Sequence, residues 1–283
     1  MRRRRRRSWI NRIVIGFTVF ATATALVPLV LIIGYVVQQG VGALSLSFFT
    51  ETFRPVTLGG GGDAGGVLHA IVGSLLITGV ALLISTPIGI MAGIYLAEYP
   101  GTTATTVIRF CVDVLTATPS IVVGVTAYTL IVMRVQGFSG IAGSVALVVL
   151  MVPVITRTTE EMLRLVPESV REAAIALGSP KWYSTLTVVI PVALSGIATG
   201  VLLAFARAAG ETAPLLVTVL GNNNLTFNLF GPMQALPLLA YRYTAQPFKV
   251  LNEQAWGAAF ILVVFVLGIN ILVRYVTRPR SVR

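Results

Sequence analysis

Apolar residues run in long blocks along this chain, and polar residues gather in the shorter segments between them. Six blocks stand out, at residues 13–37, 68–97, 107–132, 141–155, 192–220 and 255–276. A helix needs ~20 residues to cross the hydrocarbon core, and only helices or closed barrels satisfy their backbone there. The pattern therefore predicts an all-α, polytopic membrane protein with six transmembrane helices. The block at 141–155 is short, and that at 192–220 is longer than one straight span requires. Pro87, Gly79, Gly89 and Gly93 interrupt the second block, and small residues let membrane helices approach closely. The third holds Asp113, Thr116, Thr118, Pro119 and Ser120. The predicted organisation is a basic tail at 1–12, a first span at 13–37, an external loop at 38–67, a membrane core at 68–276 and a tail at 277–283. Within the core lie a polar loop at 158–191 and a polar segment at 221–253.

Composition agrees with the pattern. Hydrophobic residues make up 55% of the 283 and charged residues 11%, with a mean hydropathy of +0.87. Soluble domains carry about 25% charged residues. The net charge of +11 would suggest nucleic acid in a soluble protein, but here much of it sits in Arg2 to Arg7 and in the short segments flanking apolar blocks. There it reads as a topology signal, with no nucleic acid as a partner. With the N-terminus inside, sixteen Lys and Arg residues fall on the inner side and four on the outer. This predicts both termini and the 158–191 loop in the cytoplasm, with the basic tail against anionic lipid. The 13–37 block is too long for the core of a signal peptide, so an uncleaved first span is expected.

Few residues can carry chemistry. One cysteine, Cys111, excludes an intrachain disulfide, and one histidine, His69, leaves no histidine pair for a metal. His69 reads as an interfacial side chain and Cys111 as an inert thiol. The glycine run Gly59–Gly62 is not followed by Gly-Lys-Ser/Thr and so is not a P-loop. No metal and no cofactor of the chain's own is expected. A multi-pass membrane enzyme would need an acid cluster or a histidine, and the ten acids are mostly scattered. A secondary transporter would show internal repeats and several mid-membrane acids.

The loop centres on EAAIALGSPKWYSTLTVVIP, from Glu172 to Pro191. It reads as two short helices. Pro167 suits the first turn and Glu168 the positive end of the first helix. Val170, Ala173, Ala174 and Leu177 fall at i, i+3, i+4 and i+7, one apolar stripe. Gly178 supplies the stop, and Ser179–Pro180 reads as an N-cap followed by a first-turn proline. The stretch resembles the EAA loop of bacterial ABC-importer permeases: EAA, three residues, Gly, nine residues, then Ile-x-Leu-Pro. Glu172, Ala173, Ala174, Gly178 and Pro191 stand in register, while Val188 and Ile190 depart mildly. The resemblance implies the type I ABC importer permease (MetI-like) fold. It also implies that Glu172, Ala173, Ala174, Leu177 and Gly178 form a coupling element docked on a cytoplasmic ATPase.

In the fifth block, Arg207 and Glu211 lie four residues apart, so a continuous helix would place them on one face. Gly210, Thr212 and Pro214 could loosen the helix there and free backbone groups for a ligand. An interhelical salt bridge that only fixes packing is the other reading of this pair. RAAGETAPL, Thr118 to Gly124 (TPSIVVG), Pro87 to Ile90 (PIGI) and Tyr95 to Tyr99 (YLAEY) resemble the PstA-type phosphate permeases of the ABC family. That resemblance implies the permease subunit of an ATP-driven phosphate importer in the bacterial inner membrane. Its implied partners are a PstC-like permease, a PstB-like ATPase dimer that binds the ATP, and an external phosphate-binding protein. Arg207, Glu211, Thr212 and Ser120 are the implied substrate pathway. Sulfate, molybdate or phosphonate would keep the fold and the loop and change only the cargo.

Overall fold

The computed structural model describes residues 2–56 and 64–276; the Gly59–Gly62 run and the tail at 277–283 lie outside the described residues. Eleven helices follow one another among the described residues: α1 (Arg2–Val41), α2 (Leu46–Thr50), α3 (Leu68–Glu98), α4 (Thr103–Ala117), α5 (Ser120–Val135), α6 (Gly140–Arg164), α7 (Glu168–Ala176), α8 (Lys181–Ala209), α9 (Ala213–Thr218), α10 (Leu236–Thr244) and α11 (Lys249–Val276). Two isolated bridges, Phe53 with Gly65 and Leu220 with Met233, are the only β-type pairings among them. Five helices are long and apolar enough to cross a membrane: α1, α3, α6, α8 and α11. The pair α4–α5 passes the same test together but bends by 103°. The described residues thus form a multi-pass, all-α membrane protein with five helices of spanning length and one bent pair.

The break corrects the expectation of a continuous third span. Thr118 (ψ 128) and Pro119 (ψ 136) are both extended. Proline has no N–H to give the preceding turn, and its ring forces the residue before it out of helical geometry. A second break divides the fifth block at Gly210–Thr212, where Pro214 cannot continue the hydrogen-bond ladder and starts α9 instead. Thr185–Val189 within α8 is a π-type turn ahead of Pro191, which has no amide to donate backwards. The fourth span reaches beyond the 141–155 block: α6 holds 25 residues and carries Arg157, Glu160, Glu161 and Arg164 on its last two turns.

The core is the α3–α6 pair. A Cβ on Gly89 would lie 2.7 Å from the Ile155 side chain, and one on Gly93 would lie 2.5 Å from Thr159 Cβ and 2.7 Å from the Thr156 carbonyl. Only glycine at these two positions lets the helices approach so closely. Ile77, Leu147, Met151, Ile155 and Leu215 are buried along this seam, and Ser144 Oγ donates to the Ile77 carbonyl at 3.0 Å. A second cluster, including Phe48, Leu239, Tyr243 and Leu251, packs α2, α10 and the start of α11 around the start of α3. Burial pushes the Tyr243 hydroxyl pKa up, with Arg242 pulling it partly back. α1 is exposed along most of its length and touches α11, where Tyr35 and Trp256 meet edge to face at 5.0 Å.

Candidate functional site

Two regions hold the singled-out residues, and α8 joins them. The first is the 158–191 loop. Pro167 is the N-cap residue of α7, and Glu168 puts its carboxylate in the first turn. After α7 the chain closes through Gly178 at φ +84, with Gly178 N donating to the Ile175 carbonyl at 2.9 Å and Ser179 N to the Ala174 carbonyl at 3.4 Å. This is the left-handed stop expected of Gly178. The expectation for Ser179 is not met. Pro180, extended at ψ 150, takes the cap position, there is no side-chain cap bond, and α8 begins at Lys181.

The apolar stripe is divided between the bundle and the surface. Ala174 is buried and Val170 half-buried against Leu163, Val166 and Val189, whereas Ala173 is exposed and Leu177 is 88% exposed. Leu177 falls in the cap position after the last helical residue. Glu172 is exposed as well. Around it, Leu165, Ile175 and Trp182 are exposed apolar side chains.

Two buried carboxylates fasten this region to the bundle. Glu98, the last residue of α3, accepts a hydrogen bond from Arg171 of α7. Lys181 of α8 lies 3.9 Å from its Oε2 and donates to its backbone carbonyl at 2.6 Å. Arg171 also donates to the Leu163 carbonyl at 2.7 Å, and the Lys181 ammonium sits 4.9 Å from the centre of the Tyr99 ring. Glu160 Oε1 lies 2.7 Å from a guanidinium nitrogen of both Arg109 and Arg164, and its Oε2 lies 3.8 Å from Arg157. Arg157 also approaches Asp113 at 3.8 Å and Glu161 at 3.7 Å. Sequence reasoning assigned no role to Glu98 or Glu160. A signal existed for each. Glu98 is an acid at the negative end of a helix, where it is disfavoured unless paired. Glu160 has arginines three residues before it and four after it on one helix.

The second region is the break between α8 and α9. Arg207 Nε lies 4.0 Å from Glu211 Oε1, so the pair is close, but Glu211 belongs to the break and not to the helix that carries Arg207. The Arg207 side chain is 66% exposed and that of Glu211 19%. Thr212 is half-buried at the cap of α9 and makes no side-chain cap bond. Ser120, also half-buried, opens α5 after the first break. The two short helices pack on each other: a Cβ on Gly124 would lie 2.6 Å from Pro214 Cα and 3.0 Å from Val217 Cγ2. The structure therefore brings the helices following both breaks together. No hydrogen bond links Ser120 or Thr212 to the Arg207–Glu211 pair among the described residues.

Comparison with known proteins follows the same lines. The family model described as "Binding-protein-dependent transport system inner membrane component" matches residues 89–281. The phosphate transport system permease protein PstA of Pasteurella multocida is 44% identical over 265 residues, covering 93% of this chain and 93% of that relative. PstA of Yersinia pestis is 43% identical over 278 residues, covering 97% and 93%. PstA 1 of Mycobacterium tuberculosis (strain H37Rv) is 40% identical over 282 residues, covering 97% and 91%. Among solved structures, an inward-facing MetNI methionine ABC transporter superposes with a TM-score of 0.61 at 21% identity, covering 75% of this chain and 94% of that one. At that identity the likeness speaks for the fold.

Proposed function

The chain belongs to the family of binding-protein-dependent transport system inner membrane components, and on that footing we propose that it is the PstA-type permease subunit of an ATP-driven importer of inorganic phosphate. It is a transport subunit. ATP is bound and hydrolysed by a partner, a PstB-like ATPase dimer. A PstC-like permease supplies the other half of the pathway, and a phosphate-binding protein delivers cargo from outside. Both termini and the 158–191 loop lie in the cytoplasm, in keeping with the sixteen-to-four distribution of Lys and Arg.

The loop carries this reading. Leu165, Ala173, Ile175, Leu177 and Trp182 are exposed around a helix that buried ion pairs hold to the bundle. An exposed apolar group on a fixed mount, next to a polar loop, marks a protein interface. The ATPase docks there, with Glu172, Ala173, Ala174, Leu177 and Gly178 as the coupling element.

At the other end of α8, Arg207 faces away from the chain's own bundle. A charge at mid-bilayer costs roughly +2.5 to +3.5 kcal/mol on insertion scales. Glu211 at 4.0 Å is too far for a hydrogen bond. A pathway shared with the second permease gives Arg207 both water and a phosphate anion. Glu211 holds the guanidinium and weakens its grip so that phosphate is released, and Thr212 and Ser120 line the same route. The test is phosphate uptake by the complete complex in vesicles, with sulfate as competitor. Saturable uptake that needs ATP and the binding protein and is untouched by excess sulfate is expected. Uptake that sulfate displaces at equal concentration would refute the phosphate assignment.

A further inference from the structure

We propose that Glu98 is the positioning residue that transmits movement of the coupling loop to the membrane core, an inference that rests on the loop being the ATPase docking element. Three helices meet at this one buried carboxylate, and Arg171 ties in a fourth. Glu98 ends α3, Arg171 comes from α7, Lys181 opens α8, and the second arm of Arg171 ends on the Leu163 carbonyl in the last turn of α6. The apolar fastening of α7 is slight by comparison. Of its nine residues only Ala174 is buried, and Val170 is half-buried. A helix so poorly buried would slide or tilt over the bundle when pushed unless a directional contact held it. The guanidinium supplies that contact, because its planar fork fixes an angle as well as a distance.

The position of Glu98 makes the contact mutual. A carboxylate at the C-terminal end of a helix meets the negative end of the helix dipole, and this one is 6% exposed. Removing either cation leaves a poorly compensated buried charge, so α3 is as dependent on α7 and α8 as they are on it. Behind Glu98, α3 is locked to α6 at Gly93 and Gly89, one and two to three turns further back along the helix. Displacement of α7 is thus delivered to the α3–α6 pair as a unit. Glu160, with its arginines from α4 and α6, fixes the same end of that pair to α4 and takes no bond from α7.

The experiment uses the complete complex in vesicles and measures phosphate transported per ATP hydrolysed, together with the amount of ATPase co-purified. Glu98→Gln keeps the shape of the side chain and removes its charge. Its transport per ATP should fall by about tenfold or more, the factor carried by one charge-assisted hydrogen bond. Glu98→Asp should recover part of it. A contact that only stabilises the fold would lower the yield of complex and leave the ratio of the surviving complexes at the parent value, and that result would overturn the proposal. Should Glu98→Gln fail to assemble, Arg171→Lys, which keeps the charge and loses the two-point contact, is read in the same way: a parental ratio overturns the proposal and a lowered ratio supports it. Gly178→Val in the same vesicles separates the two levels. An uptake rate at the parental value in Gly178→Val means the loop is not the docking element. A lowered uptake rate in Gly178→Val with a parental transport per ATP in the Glu98 variant means the clamp is not the transmitter.

Discussion

Replacing Gly178 isolates a backbone effect that few positions offer so cleanly. The residue sits at φ +84 between α7 and α8, and a Cβ added there would find nothing within 4 Å. Any cost within this chain is conformational, not steric crowding. An L-residue in the left-handed region costs about 1–2 kcal/mol relative to glycine. Asparagine tolerates the region better, and a β-branched residue is worst placed there. A shift of 1–2 kcal/mol changes the population of the native loop closure by a factor of about 5–30. Nothing in the bundle depends on Gly178 for packing, so this acts on the angle between α7 and the start of α8 and leaves the core intact. Binding-protein-stimulated ATP hydrolysis and phosphate uptake should then fall in the order Gly, Asn, Ala, Val, with uptake in Gly178→Val down by about 5-fold or more and the complex still assembled. Transport by Gly178→Val at the parental rate would refute the reasoning. Equal failure of Asn and Val would also refute it, since it would assign the effect to side-chain volume against the docked ATPase.

Other consequences are as direct. Arg207→Gln should abolish uptake with the ATPase still bound, and Glu211→Gln should impair it; full uptake in the swapped pair, Arg207→Glu with Glu211→Arg, would instead show that the pair only packs. Gly93→Ala should lower the melting stability of the purified complex by about 1–3 kcal/mol relative to Gly79→Ala, because the Gly93 methyl meets Thr159 and the Thr156 carbonyl while Gly79 has open space; equal melting temperatures for the two would dismiss the close α3–α6 approach. Cysteines introduced at Asn223 should react with a membrane-impermeant thiol reagent from outside and those at Ser179 only from inside, with labelling of Ser179 from outside reversing the topology.

Much of the fold was legible because a bilayer allows so few solutions: long apolar blocks had to be helices, and five helices among the described residues are long and apolar enough to cross it. Where the pattern misled, a proline was responsible. The block at 107–132 shows unbroken hydropathy, yet Pro119 bends it by 103°, and Pro214 with Gly210 divides the block at 192–220. Hydropathy measures transfer to lipid and is blind to a missing N–H. The same division explains the Arg207–Glu211 pair. Spacing of four predicted a shared helical face, but the residues approach across a break, which leaves Arg207 turned outward and Glu211 half-buried. In the loop, Gly178 was legible because one backbone conformation suits one residue. The exposure of Leu177 was not, because helical spacing gives a shared face but not what covers it.

The buried ion pairs were hidden for a different reason. Glu98 and Arg171 are 73 residues apart in the chain and Glu98 and Lys181 83 apart, and no local rule connects them. Each is nonetheless an anomaly in its own setting. Glu98 is an acid on the last turn of a long apolar helix, where the dipole opposes it. Such a residue demands a cation from elsewhere, and when it is buried the demand is strict. Cations were available from the end of α6, which carries Arg157 and Arg164, and from the loop after it, which carries Arg171 and Lys181. Two of the four also act as fasteners: Arg171 and Lys181 close on Glu98. Arg164 and Arg157 pair with Glu160 within α6 itself. A positive loop beneath an apolar bundle is therefore more than an address for insertion. Where an acid ends the neighbouring span, two of those charges bind the loop to it.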